Sequence, residues 1–205
     1  MQWGTKVRGP KLEVSADGLT IKDVATDPRE GDDNLGRYRP CATNISLQEG
    51  VHRISIKIVR PGRINFGVCT SSVTSACRER TKNSIYQISQ AWIICIPSKC
   101  DPNDMNVWHA GNSSKSGLPG LSVGGQLDMI LDSVNGRLEF LVNDRPGNSG
   151  KSIFRVPVRV PLFPVVAFGG DRTKGAAVEL IPAQVSIHKS FCTIAMPGNG
   201  APLPR

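Results

Sequence analysis

Histidine and carboxylate side chains are the first candidates for chemistry in this 205-residue chain, because they can move protons near neutral pH. The three histidines are His52, His109 and His188, and no nucleophile elbow on a strand–turn–helix unit accompanies them. His52 stands at the start of a strand-like run, where an imidazole commonly has a structural role. The histidines therefore indicate no nucleophilic site.

Two carboxylates, Asp128 and Asp132, lie four residues apart in a segment with strand alternation. At about 3.3 Å per residue, a strand would place them on one face but roughly 13 Å apart. That separation is too large for a pair of carboxylates acting on one glycosidic bond. We expect Asp132 instead to end the strand and to cap the turn at Asn135-Gly136.

Cysteine spacing is the next possible source of chemistry, since thiolates bind zinc. Cys95 and Cys100 have His109 further along the chain, but the sequence contains no Cys-x-x-Cys pair. Cys95 also lies in the apolar run 92–96, where a small buried thiol is expected. We therefore predict no metal and no cofactor. The six cysteines are predicted to be free thiols, most of them in the core: Cys41, Cys69, Cys77, Cys95, Cys100 and Cys192.

The segment 145–152 resembles a phosphate-binding loop in its Gly-Lys-Ser ending. Arg145 stands where the motif needs glycine, and residues 153–157 cannot form the helix whose N-terminus would face the phosphates. The glycines between 117 and 125 lack the strand–turn–helix unit of a dinucleotide-binding fingerprint. No nucleotide site is therefore predicted.

The elements that would position functional side chains are strands, because the dominant apolar period is two. The isoleucines of 54–58 alternate with polar residues in a half-buried strand over 51–60. A turn-forming segment at 60–63 follows, and the apolar run 64–69 returns. The sequence predicts that these two strands form an antiparallel hairpin.

A second hairpin is indicated by Asn135-Gly136, a dipeptide whose residues both tolerate positive φ. It lies between apolar segments at 127–131 and 137–142. Further extended segments are predicted at 156–160, where Pro157 allows only an edge strand or an irregular segment, and at 163–168 and 176–181. No window of twelve residues shows an apolar helical face, so the sequence predicts an all-β antiparallel sandwich or barrel.

The chain carries a net charge of +8, from 25 Lys and Arg against 17 Asp and Glu. A positive excess favours acidic partners or a phosphate backbone, and basic clusters occur at 37–39, 53–63 and 78–82. Aromatic residues form only 5% of the chain, which is few for stacking on single-stranded nucleic acid. A basic subunit of a ribonucleoprotein or other large assembly, contacting RNA through an Arg/Lys face, is therefore the alternative function.

No apolar run approaches the roughly 20 residues that span a bilayer, and residues 1–6 lack the apolar stretch of a secretory signal. We therefore expect an intracellular protein, cytoplasmic or nuclear, with no membrane partner. In that setting the glycosylation sequons at Asn44 and Asn112 would carry no glycan.

Several motifs in order resemble the SPRY-domain family. They are residues 50–52 (Gly-Val-His) with 66–68 (Phe-Gly-Val), residues 131–140 (Leu-Asp-Ser-Val-Asn-Gly-Arg-Leu-Glu-Phe) and residues 162–166 (Leu-Phe-Pro-Val-Val). Trp92 stands where the family often has a mid-domain tryptophan. Ile54 and Phe163 replace a Trp and a Tyr of the family pattern, and both keep the bulk of the side chain. The resemblance extends over residues 3–181.

The resemblance implies a bent antiparallel β-sandwich of two sheets, of jelly-roll type, over residues 1–181, with 182–205 as a partly flexible C-terminal extension. It also implies a recognition module that has no catalytic activity and no small-molecule substrate. Such modules bind a peptide or protein surface through loops at one edge of the sandwich. The fold does not by itself specify the partner.

By location, the family's peptide pocket corresponds here to residues 22–28, to the segment after 163–168 and to a mid-chain tyrosine. The long charged loop from 23 to 39 supports the same surface, because charge complementarity influences the encounter rate and register of a partner. The predicted partner-binding residues are Lys22, Asp23, Asp27, Pro28, Tyr86, Phe168, Gly169, Gly170, Asp171 and Arg172.

Overall fold

A computed structural model of the chain describes residues 1–9, 11–25, 38–47, 49–76, 85, 88–97, 105–142, 152–169 and 175–182. Strands dominate its regular structure, and the one named helix is short. In chain order the elements are β1 (Trp3–Arg8), β2 (Leu12–Val14), β3 (Thr20–Asp23), β4 (Tyr38–Thr43), β5 (Val51–Arg60), β6 (Ile64–Thr70), α1 (Ser71–Ala76), β7 (Ala91–Ile96), β8 (Asn106–His109), β9 (Asn112–Lys115), β10 (Gln126–Asp132), β11 (Arg137–Val142), β12 (Ser152–Arg155), β13 (Leu162–Gly169) and β14 (Ala177–Ile181).

The strands form two sheets of seven strands each. The first sheet has the order β1-β4-β13-β6-β7-β8-β9, and the second has the order β12-β11-β10-β5-β14-β3-β2. Neighbouring strands are antiparallel in both sheets. The prediction of an all-β antiparallel sandwich is therefore confirmed, and the strands predicted at 163–168 and 176–181 are present as β13 and β14.

The two sheets pack face to face through apolar side chains from both layers. Phe66 of β6 belongs to the first sheet, whereas Ile56 of β5 and Phe140 of β11 belong to the second, and all three are fully buried. The rings of Phe66 and Phe140 meet edge to face, with centroids 6.5 Å apart. The alternating isoleucines at 54–58 therefore point into a core between the sheets.

The predicted hairpin between β5 and β6 is wrong. β5 pairs with β10 and β14 in the second sheet, whereas β6 pairs with β7 and β13 in the first. The short connection 61–63 therefore crosses between the sheets. The reason lies in burial: β6 is buried on both faces along 64–69, but Arg53 and Lys57 on the outer face of β5 are exposed. The outer faces of adjacent strands in one sheet are usually either both covered or both exposed. A strand with a buried outer face and one with an exposed outer face therefore belong to different sheets.

The second predicted hairpin is confirmed, since β10 and β11 pair in register along their whole length. In the connecting turn Gly136 has a φ of 63°, which glycine adopts without strain. The Asp132 carboxylate accepts the backbone N–H groups of Val134 and Asn135 at 3.1 and 2.9 Å. Asp132 therefore caps the turn, as the sequence predicted.

The segment 156–160 is irregular, which is one of the two outcomes that Pro157 allows. The neighbouring strand, β12, ends before it, and Arg159 has a φ of 59°. A proline without an N–H and a residue in the left-handed region cannot extend a strand ladder.

The outer face of the first sheet carries a second, smaller apolar cluster. Val73 of α1 and Ile85 pack there against Ile93 of β7 and Val165 of β13. The helix was not predicted from the sequence, because its six residues are too few to show a helical period. This cover explains why β6, β7 and β13 of the first sheet are buried on both faces.

Three of the six cysteines lie in the described residues, and all three are buried thiols outside any disulfide, as predicted. Cys41 belongs to the core between the sheets, whereas Cys69 and Cys95 belong to the outer cluster. The other cysteines lie outside the described residues.

The sandwich has two ends with different connections. The loop end is defined by Asp23 at the end of β3, Gly169 at the end of β13 and Ala177 at the start of β14. The hairpin end is defined by the turn 133–136 and by Val51 at the start of β5.

Candidate interaction surface

Strand ends from both sheets meet at the loop end. Lys22 of β3 is opposite Ala177 of β14 in the second sheet, and Gly169 of β13 is opposite Tyr38 of β4 in the first. The two connections that the sequence predicts to bind a partner therefore start and finish at neighbouring points of the sandwich.

A buried ion pair links the two sheets beneath these connections. The Arg39 guanidinium of β4 donates to the Asp23 carboxylate of β3 at 2.5 Å, and the two side chains are only 6% and 0% exposed. The second carboxylate oxygen accepts the Ala25 N–H at 3.1 Å. Removing either partner of a buried pair leaves an uncompensated charge, so the arrangement is strongly specified. The pair fixes both ends of the segment 24–37.

Backbone hydrogen bonds hold the ends of the second connection. The Gly169 N–H donates to the Arg63 carbonyl at 3.3 Å. The Ala176 carbonyl accepts the Asp23 N–H at 2.9 Å. The residues that flank this connection, Gly169 and Ala176, are therefore held by the first sheet and by the end of β3, respectively.

The predicted site residues that the structure describes fall into two groups. Lys22 is exposed and can contact a partner directly. Asp23, Phe168 and Gly169 are buried, so they can only position the loop ends. Arg39 joins these residues, since it is opposite Phe168 in the first sheet and paired with Asp23. The remaining predicted residues lie outside the described residues: Asp27, Pro28, Tyr86, Gly170, Asp171 and Arg172.

Arg39 also belongs to this site, but it was not predicted there, because the sequence pattern placed it in a basic surface cluster. One signal was present in the sequence. Alternation in β3 places Asp23 on the same face as the buried Ile21, and an inward carboxylate needs a cation or hydrogen-bond donors.

Two of the histidines considered for acid–base chemistry, His109 and His52, lie within the strands β8 and β5. His109 stacks on Trp92 with ring centroids 4.8 Å apart, and its Nδ1 atom lies 3.0 Å from the Ala91 carbonyl oxygen. His52 is half-buried in β5, and His188 lies outside the described residues. The imidazole of His109 on β8 therefore packs against the neighbouring strand β7.

The candidate carboxylates are also engaged within the fold. Asp128 is fully buried and accepts hydrogen bonds from Arg53 and Gln126, each at 2.8 Å, and from the Ser55 hydroxyl. Asp132 caps its turn, as described above. Both carboxylates thus have partners that orient them in the second sheet.

One pentapeptide, residues 120–124, has the letters Gly-x-Ser-x-Gly of a nucleophile elbow. An elbow needs a sharp turn from a strand into a helix. Here Ser122 is exposed between β9 and β10, and its carbonyl accepts the Gly125 N–H at 2.9 Å. Because a strand follows, the pentapeptide forms a tight loop and not an elbow.

The described ranges contain no group of three or more His, Cys, Asp or Glu side chains that could hold a metal ion. Cys95, the zinc candidate of the sequence, is a buried thiol in β7, and Cys100 lies outside the described residues. The described part of the chain also has no helix with the length and apolarity needed to cross a membrane.

Comparisons with known proteins show likeness at the level of structure. No protein-family sequence model and no curated protein matches the chain. The crystal structure of the TRIM65 PSpry domain gives a TM-score of 0.64 at 19% identity, over 89% of this chain and 92% of that chain. The SPRY domain of human HERC1 gives 0.62 at 15% identity, over 89% of this chain and 98% of that chain.

Stonustoxin gives a TM-score of 0.63 at 13% identity, over 88% of this chain but 26% of that chain. At these identities the likeness concerns the fold alone. The strand order, the inter-sheet core and the three solved structures agree with the motifs that the sequence carries. The chain therefore has a SPRY-like β-sandwich fold.

Proposed function

We propose that the chain is a non-catalytic protein-interaction module, which binds a peptide or protein surface through the connections at its loop end. The observation that carries this proposal is the buried Asp23–Arg39 pair, because it anchors a long charged segment on a rigid sandwich. Loops held in this way can vary in sequence without loss of the core.

The charges of the anchored segment suggest how a partner would be selected. Residues 27–37 contain acidic and basic side chains, and the exposed Lys22 lies at the start of the segment. Complementary charges on a partner would raise its association rate and fix its register. A peptide or protein surface with mixed charges is therefore the expected ligand.

Charge reversal at the predicted surface tests this proposal. The partner is first captured from the native source with the full chain and identified by mass spectrometry. Its affinity is then measured by calorimetry for Asp27→Lys, Asp171→Lys and Arg172→Glu. We expect each reversal to weaken binding about tenfold or more, in the range of interface hot spots, with the melting temperature nearly unchanged.

The matched control for this experiment is Arg155→Glu, a charge reversal of an exposed residue at the hairpin end. It should leave partner binding at the loop end unaffected. Full affinity in a variant that carries all three loop-end reversals would show that the surface is wrongly chosen.

RNA contact through an Arg/Lys face is the competing function, and two of its basic residues have intramolecular partners. Arg39 is buried against Asp23, and Arg53 is paired with Asp128 at 2.8 Å. Salt dependence separates the two functions, because each phosphate contact adds to the slope of log affinity against log salt. A steep slope with a generic RNA would favour the assembly subunit.

A further inference from the structure

Exposed valines cluster at the hairpin end, opposite the loop end. Half of the eight large apolar side chains that are exposed in the described residues lie there. These four, from here on the valine patch, are Val51, Val134, Val158 and Val160, which are 51%, 57%, 48% and 37% exposed. Single exposed valines need no explanation, but a group of them on one surface is typical of an interaction site.

Hydrogen bonds hold the parts of the valine patch together. Ser133 donates its N–H and its hydroxyl to the Gly50 carbonyl, each at 3.0 Å, and so joins the β10–β11 turn to the start of β5. The Val156 N–H donates to the Gly136 carbonyl at 3.0 Å. A Cβ on Gly136 would lie 3.0 Å from the Val158 Cγ1 atom. The patch is therefore preorganised, which lowers the entropic cost of binding.

The charges around the valine patch are uneven. Arg155 and Arg159 are exposed and form no ion pair with a described residue. Arg137 is paired with Glu139, and the Asp132 carboxylate is occupied by the amides of its own turn. On the side of β12 the patch thus presents two exposed cations, Arg155 and Arg159, that form no ion pair with a described carboxylate.

Among the described residues, two acids lie beside the patch towards β5: the exposed Glu49, which precedes β5, and Asp132, which is opposite Val51 in the sheet. A ligand of the patch would therefore meet apolar surface in the centre, the cations Arg155 and Arg159 towards β12, and carboxylates towards β5. This polarity favours a segment with apolar side chains next to its own carboxylates.

We propose that the valine patch is a second docking surface, for a peptide segment of another protein that carries apolar side chains flanked by Asp or Glu. The proposal is independent of the loop-end function, because the two surfaces lie at opposite ends of the sandwich. It is argued from exposure, preorganisation and charge at this end alone.

Two other occupants fit less well. A stable symmetric dimer needs roughly 800 Å² of contact on each partner, which four partly exposed valines do not supply by themselves. The C-terminal residues 183–205 follow β14, which runs towards the hairpin end, but they contain Lys189 and Arg205 and no acidic residue. They would add positive charge beside Arg155 and Arg159.

The test begins with a phage-displayed library of random 12-residue peptides, selected on the intact chain. Selected peptides are synthesised with a fluorescent label, and their affinities are measured by polarisation. We expect enrichment of apolar residues next to Asp or Glu. The variants are Val134→Asp with Val158→Asp, the milder Val134→Ser with Val158→Ser, and Arg155→Glu with Arg159→Glu.

The Asp and Arg variants should each lower affinity at least about tenfold, and the Ser variant several-fold, as expected for central interface residues. The control Lys115→Glu, at an exposed residue of the edge strand β9 in the first sheet, should change affinity less than about twofold, since it lies outside the patch. The Ser variant keeps the test decisive if the Asp variant does not fold.

Several results would overturn the proposal. One is a set of selected peptides that binds all patch variants with unchanged affinity, or a library that yields no binder. Another is patch-dependent peptides without carboxylates. Binding of a labelled 183–205 peptide to the patch, or a dimer that the Ser variant dissociates in light scattering, would assign the patch to the chain itself.

Discussion

The loop end and the hairpin end of the sandwich are closed in opposite ways. At the loop end a fully buried ion pair, Asp23–Arg39, connects the two sheets, and the long segment 24–37 starts and finishes there. At the hairpin end the β10–β11 turn is closed by its own capping carboxylate and by hydrogen bonds to Gly50.

This difference shows which parts of the fold depend on contacts between residues that are distant in sequence. A short hairpin obtains its geometry from turn chemistry within a few residues. A long connection cannot, so its two ends must be fixed by a tertiary contact. The loop end is therefore sensitive to single substitutions inside the sandwich, and the hairpin end tolerates changes on its surface.

The largest expected effect comes from breaking the buried pair. We expect Asp23→Ala to lower the free energy of unfolding by about 3–5 kcal/mol, because it leaves the Arg39 charge buried without its partner. Urea unfolding of the full chain measures the change. The matched control is Arg53→Gln, since the Arg53 side chain is 47% exposed and Asp128 keeps Ser55 and Gln126 as donors.

The control should cost about 1 kcal/mol or less, as is usual for a pair with an exposed member. Replacing both members, as Asp23→Leu with Arg39→Met, should restore much of the stability that the single variant loses. Equal losses in Asp23→Ala and Arg53→Gln would contradict the assignment of the loop end as the sensitive one.

The same contrast explains what the sequence could predict. Asn135-Gly136 and Asp132 specify the β10–β11 hairpin locally, and that prediction is confirmed. The strand β5 was also found from alternation and β6 from an apolar run after a turn, but their pairing was wrong, because neither pattern says which sheet a strand joins. The continuous apolar run of β6 indicated which sheet it joins, because only a strand that is covered on both faces has that pattern. The prediction of the hairpin did not use this signal.

The candidate site followed the same rule. Lys22 and Gly169 were placed at one end of the sandwich by resemblance, and the strand registers bring those positions to the same end. The Asp23–Arg39 pair was not predicted, because it joins residues of different sheets that lie sixteen positions apart. Alternation indicated that Asp23 faces inward, but the choice of its cation depends on packing that the sequence pattern does not contain.

A second prediction concerns the packing of the β10–β11 turn. A Cβ on Gly136 would lie 2.6 Å from the Val156 carbonyl oxygen, and Gly136 has a φ of 63°. We expect Gly136→Ala to cost roughly 2–4 kcal/mol, because left-handed strain and overpacking add. The control is Gly111→Ala in the β8–β9 turn, where φ is 80° and no atom lies within 4 Å of the Cβ position.

Gly111→Ala should cost only about 1 kcal/mol, the strain of the backbone alone. Thermal or urea unfolding compares the two variants. If Gly136→Ala is as mild as Gly111→Ala, the turn is not packed against 156–158, and the preorganisation of the valine patch would be lost as an argument.

A third prediction uses the pH dependence of the same turn. Burial acts to raise the pKa of Asp132, but hydrogen bonds from Asn135 and from the turn amides outweigh burial and lower this pKa below its usual 3.8. A carboxyl whose folded pKa is lowered stabilises the protein above its unfolded pKa, and this stability is lost as the pH falls through the folded pKa.

We therefore expect the wild type to lose more stability than Asp132→Asn between pH 6 and pH 3, by less than about 1 kcal/mol since the group is largely solvated. Asp17 contributes in the same direction in both proteins, because a hydrogen bond from Ser15 lowers its pKa. Urea unfolding at the two pH values measures the difference. Parallel losses would show that Asp132 is not the acid-sensitive cap.

The smallest effect should come from the exposed ion pair at the hairpin end. Arg137 and Glu139 face solvent, with 49% and 25% of their side chains exposed, so Arg137→Gln should change the free energy of unfolding by less than about 0.5 kcal/mol. Denaturant titration against the wild type measures this change. A loss above about 1 kcal/mol would mean that surface charge contributes to closing this end of the sandwich. A negligible loss would leave the arginines beside the valine patch free to act in binding, because the fold would not depend on them.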